Sequence, residues 1–153
     1  MDTHIVDVDE FLVKGYKLKG PFSETPSKWD RLNMKIEEQG IFAEESFDVC
    51  VSVKGGEIHY IAGIKANLAE GLLDTAEIVI SAGKFIVAKV EGGITAIPPA
   101  FAEVHKMDNI RLRNGYGMER YVHPERSVGY AIEVWMPIES TTNTNVWPLH
   151  IAL

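Results

Sequence analysis

The strongest constraint on the fold is a strand-helix-strand-strand pattern that occurs twice along the chain, at a spacing of roughly 75 residues. In the first half, the strand-like run FLVKGYKL precedes an amphipathic helix predicted from Glu24 to Gln39, with Gly40 as its stop signal. The runs SFDVCVSVK and EIHYIAGIKA follow, rich in β-branched and aromatic residues, and Gly55-Gly56 between them indicates a hairpin. This first half therefore reads as a βαββ unit.

The second half repeats the order. The segment AEIVISAGKFIVAKVEGG predicts a strand pair or a bent strand, with Ala82-Gly83 as its break. A helix is predicted to open at Ile97-Pro98-Pro99, and strands are expected over 118–123 and 128–138. Residues 141–153 form a tail that the pattern does not place.

Two such units predict an α+β fold, in which two pseudo-symmetric βαββ units form an antiparallel sheet with the helices on one face. The other face, or the seam between the units, is then left for a ligand. The 153 residues fit one domain over the range 1–153.

The charge and the cysteine content narrow the function classes. Fifteen basic and 22 acidic residues give a net charge of −7, which argues against a nucleic-acid surface. No stretch is long and apolar enough for a membrane helix, and the acidic start MDTHIVDVDE differs from a basic signal peptide. Cys50 is the only cysteine, so an intrachain disulfide is excluded. We expect a cytoplasmic protein with no nucleic-acid or membrane partner.

Several catalytic and cofactor motifs are absent from the sequence. It contains no GxxxxGK[ST], GxGxxG, GxSxG or HExxH motif. The five histidines are scattered without metal-ligand spacing. We therefore predict no metal and no cofactor, and no catalytic residue can be singled out.

One position breaks the pattern of its strand. In the run from Val128 to Ile138, side chains alternate between the two sheet faces, which places Glu133 and Trp135 together on the face opposite Ile132 and Val134. The carboxylate lies either on an ordinary half-exposed strand or in a pocket. In a pocket, a bound cation would offset the cost of burying the charge, and the indole face would add cation–π attraction. Glu133 and Trp135 are thus half of a possible cation cage.

The order of motifs resembles the GyrI-like effector-binding domain family, which includes the drug-sensing halves of AraC- and MerR-type regulators and stand-alone integron-associated proteins. The matching stretches, from about residue 5 to 140, are PSKWDRL, HYIAGIKA, ISAGKFIVAKVEGG, AIPPAFAEVHK, GMERYVHPE and AIEVWMPIES. The resemblance implies a groove between the two units that takes amphipathic, often cationic, molecules. It also implies a glutamate of the last strand on the groove floor, and Glu133 matches that position.

Other ligand-binding residues follow from the same resemblance. Trp135 takes the aromatic place beside Glu133, and Trp29 matches an aromatic at the start of the first helix, although core packing with Leu32 and Ile36 explains it equally well. The remaining candidates are Tyr121, Phe85 and Ile61. The sequence leaves open which sheet face Tyr121 occupies, and a phenylalanine such as Phe85 is more often a core residue. Ile61 would be the pseudo-symmetric counterpart of Trp135, as His59 would be of Glu133.

Three functions remain open at the level of sequence. The leading one is a stand-alone small-molecule binding domain for amphipathic, cationic aromatic ligands, similar to the effector domains of transcription regulators, and a binding module is favoured over an enzyme. The second is a hydrolase of strained electrophilic compounds that uses the same groove and the same glutamate. The third is a gyrase-directed protein-interaction module with an acidic surface that includes Glu37, Glu38, Glu44 and Glu45.

Overall fold

The computed structural model describes residues 1–20, 25–122, 131–141 and 148–151, with the side chains of 25–31, 140–141 and 148–151 outside that description. The helices are α1 (Thr25–Glu38) and α2 (Ile97–His105). The strands are β1 (Thr3–Val8), β2 (Phe11–Gly20), β3 (Glu45–Lys54), β4 (Glu57–Lys65), β5 (Ala76–Ile80), β6 (Gly83–Val90), β7 (Ile110–Leu112), β8 (Met118–Val122), β9 (Ala131–Thr141) and β10 (Pro148–Ile151). No helix in the described ranges has the length and apolar character needed to cross a membrane.

The predicted turn and stop signals have the expected backbone conformations. Gly55 and Gly56 both have positive φ, at 57° and 78°, as a tight hairpin between β3 and β4 requires. Gly40 has φ 65°, its N–H donates to the Glu37 carbonyl, and the next N–H donates to the Ile36 carbonyl. This Schellman arrangement ends α1 where the sequence predicted a stop.

The strands form one sheet in the order β10-β1-β6-β9-β8-β3-β4-β2-β5, with β7 added beside β9. The central part of the sheet is β6-β9-β8-β3-β4-β2, and it is symmetric about the β3–β8 pair. On each side of that pair, the strand after the helix comes first, the last strand of the unit comes second and the strand before the helix comes third. The two predicted βαββ units are therefore β2-α1-β3-β4 and β6-α2-β8-β9, joined at a central seam between β3 and β8. The predicted α+β fold is confirmed.

The sheet curls because two bent strands connect its ends. One bent strand consists of β1 and β2, and the other consists of β5 and β6. Their first and last halves pair near one end of the sheet, as β1 with β6, and their other halves pair at the opposite end, as β2 with β5. The register continues through the bend, with Val8 opposite Gly83 and Phe11 opposite Ile80. Of the two alternatives for this segment, the bent strand is correct, since β5 and β6 do not pair with each other.

The two faces of the curled sheet bury different cores. The inner face closes around a cluster of apolar side chains that includes Phe47, Phe85 and Trp135, each at most 2% exposed. The outer face carries the helices: α2 packs Ala100 and Val104 against β6 and β9, while α1 packs on β2 and β4. The helices thus cover one face, as predicted, and the space between them lies over the seam.

Three strands were not predicted: β1, which precedes the predicted run FLVKGYKL, and the two short strands β7 and β10. β7 pairs with β9, and β10, from the tail, pairs in parallel with β1. Both are short, at three and four residues, which leaves too little alternation for a periodicity argument.

Candidate functional site

A groove of about 500 Å³ lies on the outer face, over the seam. Its volume falls within the roughly 300–1,000 Å³ typical of small-molecule sites. The floor consists of strand and loop residues of both units: Asp48, Cys50, Gly117, Glu119 and Met136. The walls are Ile97, Pro98, Phe101 and His105 on the side of α2, and Val53, Ile58 and Tyr60 on the side of the β3–β4 hairpin. The lining is predominantly apolar apart from the floor.

Two carboxylates lie opposite each other on that floor. Asp48 of β3 and Glu119 of β8 are directly paired across the seam, and they are only 4% and 5% exposed. Like charges at paired positions of adjacent strands repel, and burial makes the repulsion and the loss of hydration more costly. Because the fold holds the two carboxylates together, binding of a proton or of a cation between them is favoured.

The environment of Glu119 favours its neutral form. Burial raises the pKa of Glu119 to about 7, although a hydrogen bond from the Tyr121 hydroxyl to Glu119 Oε1 (3.4 Å) acts in the opposite direction. The pKa of the neighbouring Cys50 thiol is raised as well, first by burial and then by the negative charges of Asp48 and Glu119. When both carboxyl groups are ionised, the floor is a negative region enclosed by apolar walls.

This arrangement limits the chemistry of the groove. Within the described ranges, no group of three or more His, Cys, Asp and Glu side chains is placed to hold a metal ion. The floor can accept hydrogen bonds, exchange a proton at Glu119 or attract a positive group, and the walls can bury an apolar one. These are the properties of a site for an amphipathic ligand.

The family of the chain follows from a sequence comparison. Residues 1–139 match the model of the GyrI-like small-molecule binding domain. The chain belongs to the GyrI-like family. No curated protein sequence matches it.

Solved structures of other proteins share the fold of this GyrI-like domain. SAV2435, solved with tetraphenylphosphonium bound, has a TM-score of 0.68 and 15% identity over 92% of this chain and 95% of its own. The C-terminal domain of EcmrR has a TM-score of 0.62 and 15% identity over 92% and 98%. An integron cassette protein from Vibrio cholerae has a TM-score of 0.59 and 12% identity over 90% and 95%. At these identities the similarity shows the fold alone.

Glu133 and Trp135 are adjacent, as the alternation of the strand predicted, but they lie on the inner face and do not line the groove. Glu133 Oε1 accepts hydrogen bonds from Arg120 Nη1 at 2.8 Å and from Trp135 Nε1 at 3.1 Å. The Arg120 guanidinium lies 5.8 Å from the centroid of the Trp135 ring. The cation next to this carboxylate and this indole is thus a side chain of the domain itself.

The other predicted ligand-binding residues are divided between the two faces. Phe85 and Ile61 are 1% and 3% exposed in the inner cluster, away from the groove. Tyr121 is on the outer face, where its hydroxyl contacts Glu119 at the floor. The side chain of Trp29 lies outside the described residues. The assignment of these residues to ligand binding stays a prediction.

Two of the four glutamates in the acidic surface suggested for protein binding, Glu38 and Glu45, form ion pairs. Glu45 pairs with Arg120 Nε at 2.6 Å and with Lys65 Nζ at 3.1 Å, so it belongs to the charge network of the inner face. Glu37 and Glu44 are exposed, and Glu38 pairs weakly with Lys35 at 3.7 Å.

Sequence analysis missed Asp48 and Glu119, although the signal that singled out Glu133 was present for Asp48, a carboxylate within the otherwise apolar strand run FDVCV. Glu119 stands next to Arg120 in GMERYV, which reads as an ordinary charged pair on a strand. The sequence did not show that β3 and β8 pair across the seam, and only that pairing brings the two side chains together.

Proposed function

We propose that this GyrI-like domain binds amphipathic organic cations in the groove, with Glu119 as the anionic anchor. The observation that carries the proposal is a carboxylate 5% exposed on the floor of an apolar groove, directly opposite a second buried carboxylate. The bound tetraphenylphosphonium in a protein of the same fold supports a cation as the ligand class.

The pKa of Glu119 gives the scale of the anchor. A shift from 4.5 to about 7 means that ionised Glu119 is destabilised in the free protein by about 3 kcal/mol. A cation in contact with the carboxylate can recover part of that energy, and full recovery would correspond to roughly a hundredfold in affinity. The apolar walls add affinity that does not depend on charge.

The alternative anchor is Glu133, the residue assigned from the sequence. Its carboxylate already contacts Arg120, so a ligand there would have to compete with a guanidinium 2.8 Å away. That comparison favours Glu119, and the two residues form a matched pair for mutation, one on each face of the sheet.

The test is calorimetric titration of phenylbutylamine, phenylbutyltrimethylammonium and the neutral phenylbutanol against the wild type, Glu119→Gln and Glu133→Gln, at about pH 8. We expect at least one cation to bind the wild type more tightly than the alcohol. Glu119→Gln should weaken that cation roughly 10–100-fold and leave the alcohol within about threefold. Glu133→Gln should retain the affinity for the cation.

A second readout locates the bound ligand. Cys50 is the only cysteine and lines the groove, so a ligand bound there should slow the reaction of Cys50 with iodoacetamide. A folded Glu119→Gln variant with unchanged cation affinity would refute the anchor. Loss of affinity in Glu133→Gln alone would move the site to the inner face.

One observation favours hydrolysis as a second candidate function. A buried carboxyl group with a pKa of about 7, next to a tyrosine hydroxyl, suits a general acid or base at neutral pH. Incubation with strained electrophilic substrates separates the two functions, because a binding domain gives stoichiometric occupancy and no product. Product formation that is lost in Glu119→Gln would support the hydrolase.

A further inference from the structure

We infer that the groove prefers protonated amines over quaternary cations, with one ammonium group donating hydrogen bonds to both Asp48 and Glu119. The inference rests on the proposed function and specifies its ligand class. It depends on the placement of two acceptor side chains on one floor.

The register of the seam determines that placement. Asp48 and Glu119 are paired residues of antiparallel strands, and both side chains line the same groove. Side chains at such positions start from β-carbons about 4.5–5.5 Å apart. A group between the two carboxylates can therefore contact both, and an ammonium with several N–H donors can bond to both at once.

A quaternary cation lacks those donors. It would neutralise charge, but it could not donate a charge-assisted hydrogen bond to either carboxylate. The described lining also offers few aromatic faces, since Phe101 and Tyr60 are its aromatic residues and the other wall residues apart from His105 are aliphatic. Recognition of quaternary ammonium groups typically relies on several aromatic rings around the cation. The floor therefore suits an N–H donor, and the walls suit an apolar tail.

The experiment compares three cations that share one tail: phenylbutylamine, its N,N-dimethyl derivative and phenylbutyltrimethylammonium. At about pH 8 Glu119 is largely ionised and alkylamines remain protonated. Calorimetry on the wild type should give an affinity that falls as N–H donors are removed, with the primary amine at least about tenfold tighter than the trimethyl compound.

Asp48→Asn tests the second acceptor, with Glu133→Gln as the control on the opposite face. We expect Asp48→Asn to weaken the primary amine several-fold and to change the trimethyl compound much less, because only the amine donates to Asp48. Urea unfolding of each variant identifies a loss of fold. If Asp48→Asn does not fold, the ranking of the three cations on the wild type decides the question.

The outcomes separate this inference from the proposed function. Equal or tighter binding of the trimethyl compound, with Cys50 still protected, would overturn the preference for amines and leave the cation site intact. An equal effect of Asp48→Asn on all three cations would also overturn it. If none of the three cations binds better than the neutral alcohol, the proposed function itself fails.

Discussion

Glu119→Gln should stabilise the free protein at neutral and alkaline pH, although it removes a group assigned to function. Burial raises the pKa of Glu119 from 4.5 to about 7, which corresponds to a cost of about 3 kcal/mol for the ionised form in the folded state. Glutamine has nearly the same shape and carries no charge. Above a pH of about 7 the variant therefore avoids most of that cost.

The sign follows from proton binding. Between pH 4.5 and about 7 the folded protein keeps the Glu119 proton and the unfolded chain has lost it. Folding stability contributed by this group is therefore fully present below 4.5 and is lost as the pH rises towards 7. The stability of Glu119→Gln minus that of the wild type should rise across this interval by up to about 3 kcal/mol.

Urea unfolding of both proteins, measured at pH values across that interval, gives this difference directly, and other titrating groups largely cancel. In thermal unfolding the full effect would raise the midpoint by roughly 6–12 °C for a chain of this size. A difference that does not change with pH would refute the reasoning, because it would mean that Glu119 titrates alike in the folded and unfolded states.

Three further predictions concern the groove, the inner face and the sheet. Cation affinity should increase roughly tenfold from about pH 6 to about pH 8, because binding needs ionised Glu119, and calorimetry on Glu119→Gln should show little of this dependence. Glu133→Gln should lower the free energy of unfolding by about 1–3 kcal/mol, because it removes a charged hydrogen bond from Arg120. Urea unfolding measures this loss, and an unchanged free energy of unfolding would contradict the ion pair. Gly15→Ala should prevent folding or lower the unfolding midpoint strongly, since its Cβ would overlap the Ala62 carbonyl of the paired strand; a wild-type melting curve would contradict that close approach.

Local features were readable because they depend on neighbouring residues. Strand alternation, the glycine pair of the hairpin and the Ile97-Pro98-Pro99 start of α2 depend on short stretches of sequence, and the predicted helices and strands formed where the structure describes them. The position of Glu133 beside Trp135 was also predicted correctly, since period-two alternation within one strand fixes it. The repeat of these elements was enough to predict the α+β fold.

The partner of each side chain depended on residues far apart in the sequence. Alternation showed that Glu133 faces away from Ile132 and Val134, but only the curl of the sheet turned its face into a closed core with Arg120 as its cation. Likewise, only the pairing of β3 with β8 brought Asp48 opposite Glu119 under α2. The sequence by itself determined both helices, most of the long strands and which residues of one strand share a face. The tertiary structure decided which carboxylates line the apolar groove, because the groove floor is made by strands that pair across the seam and not by any single run of sequence.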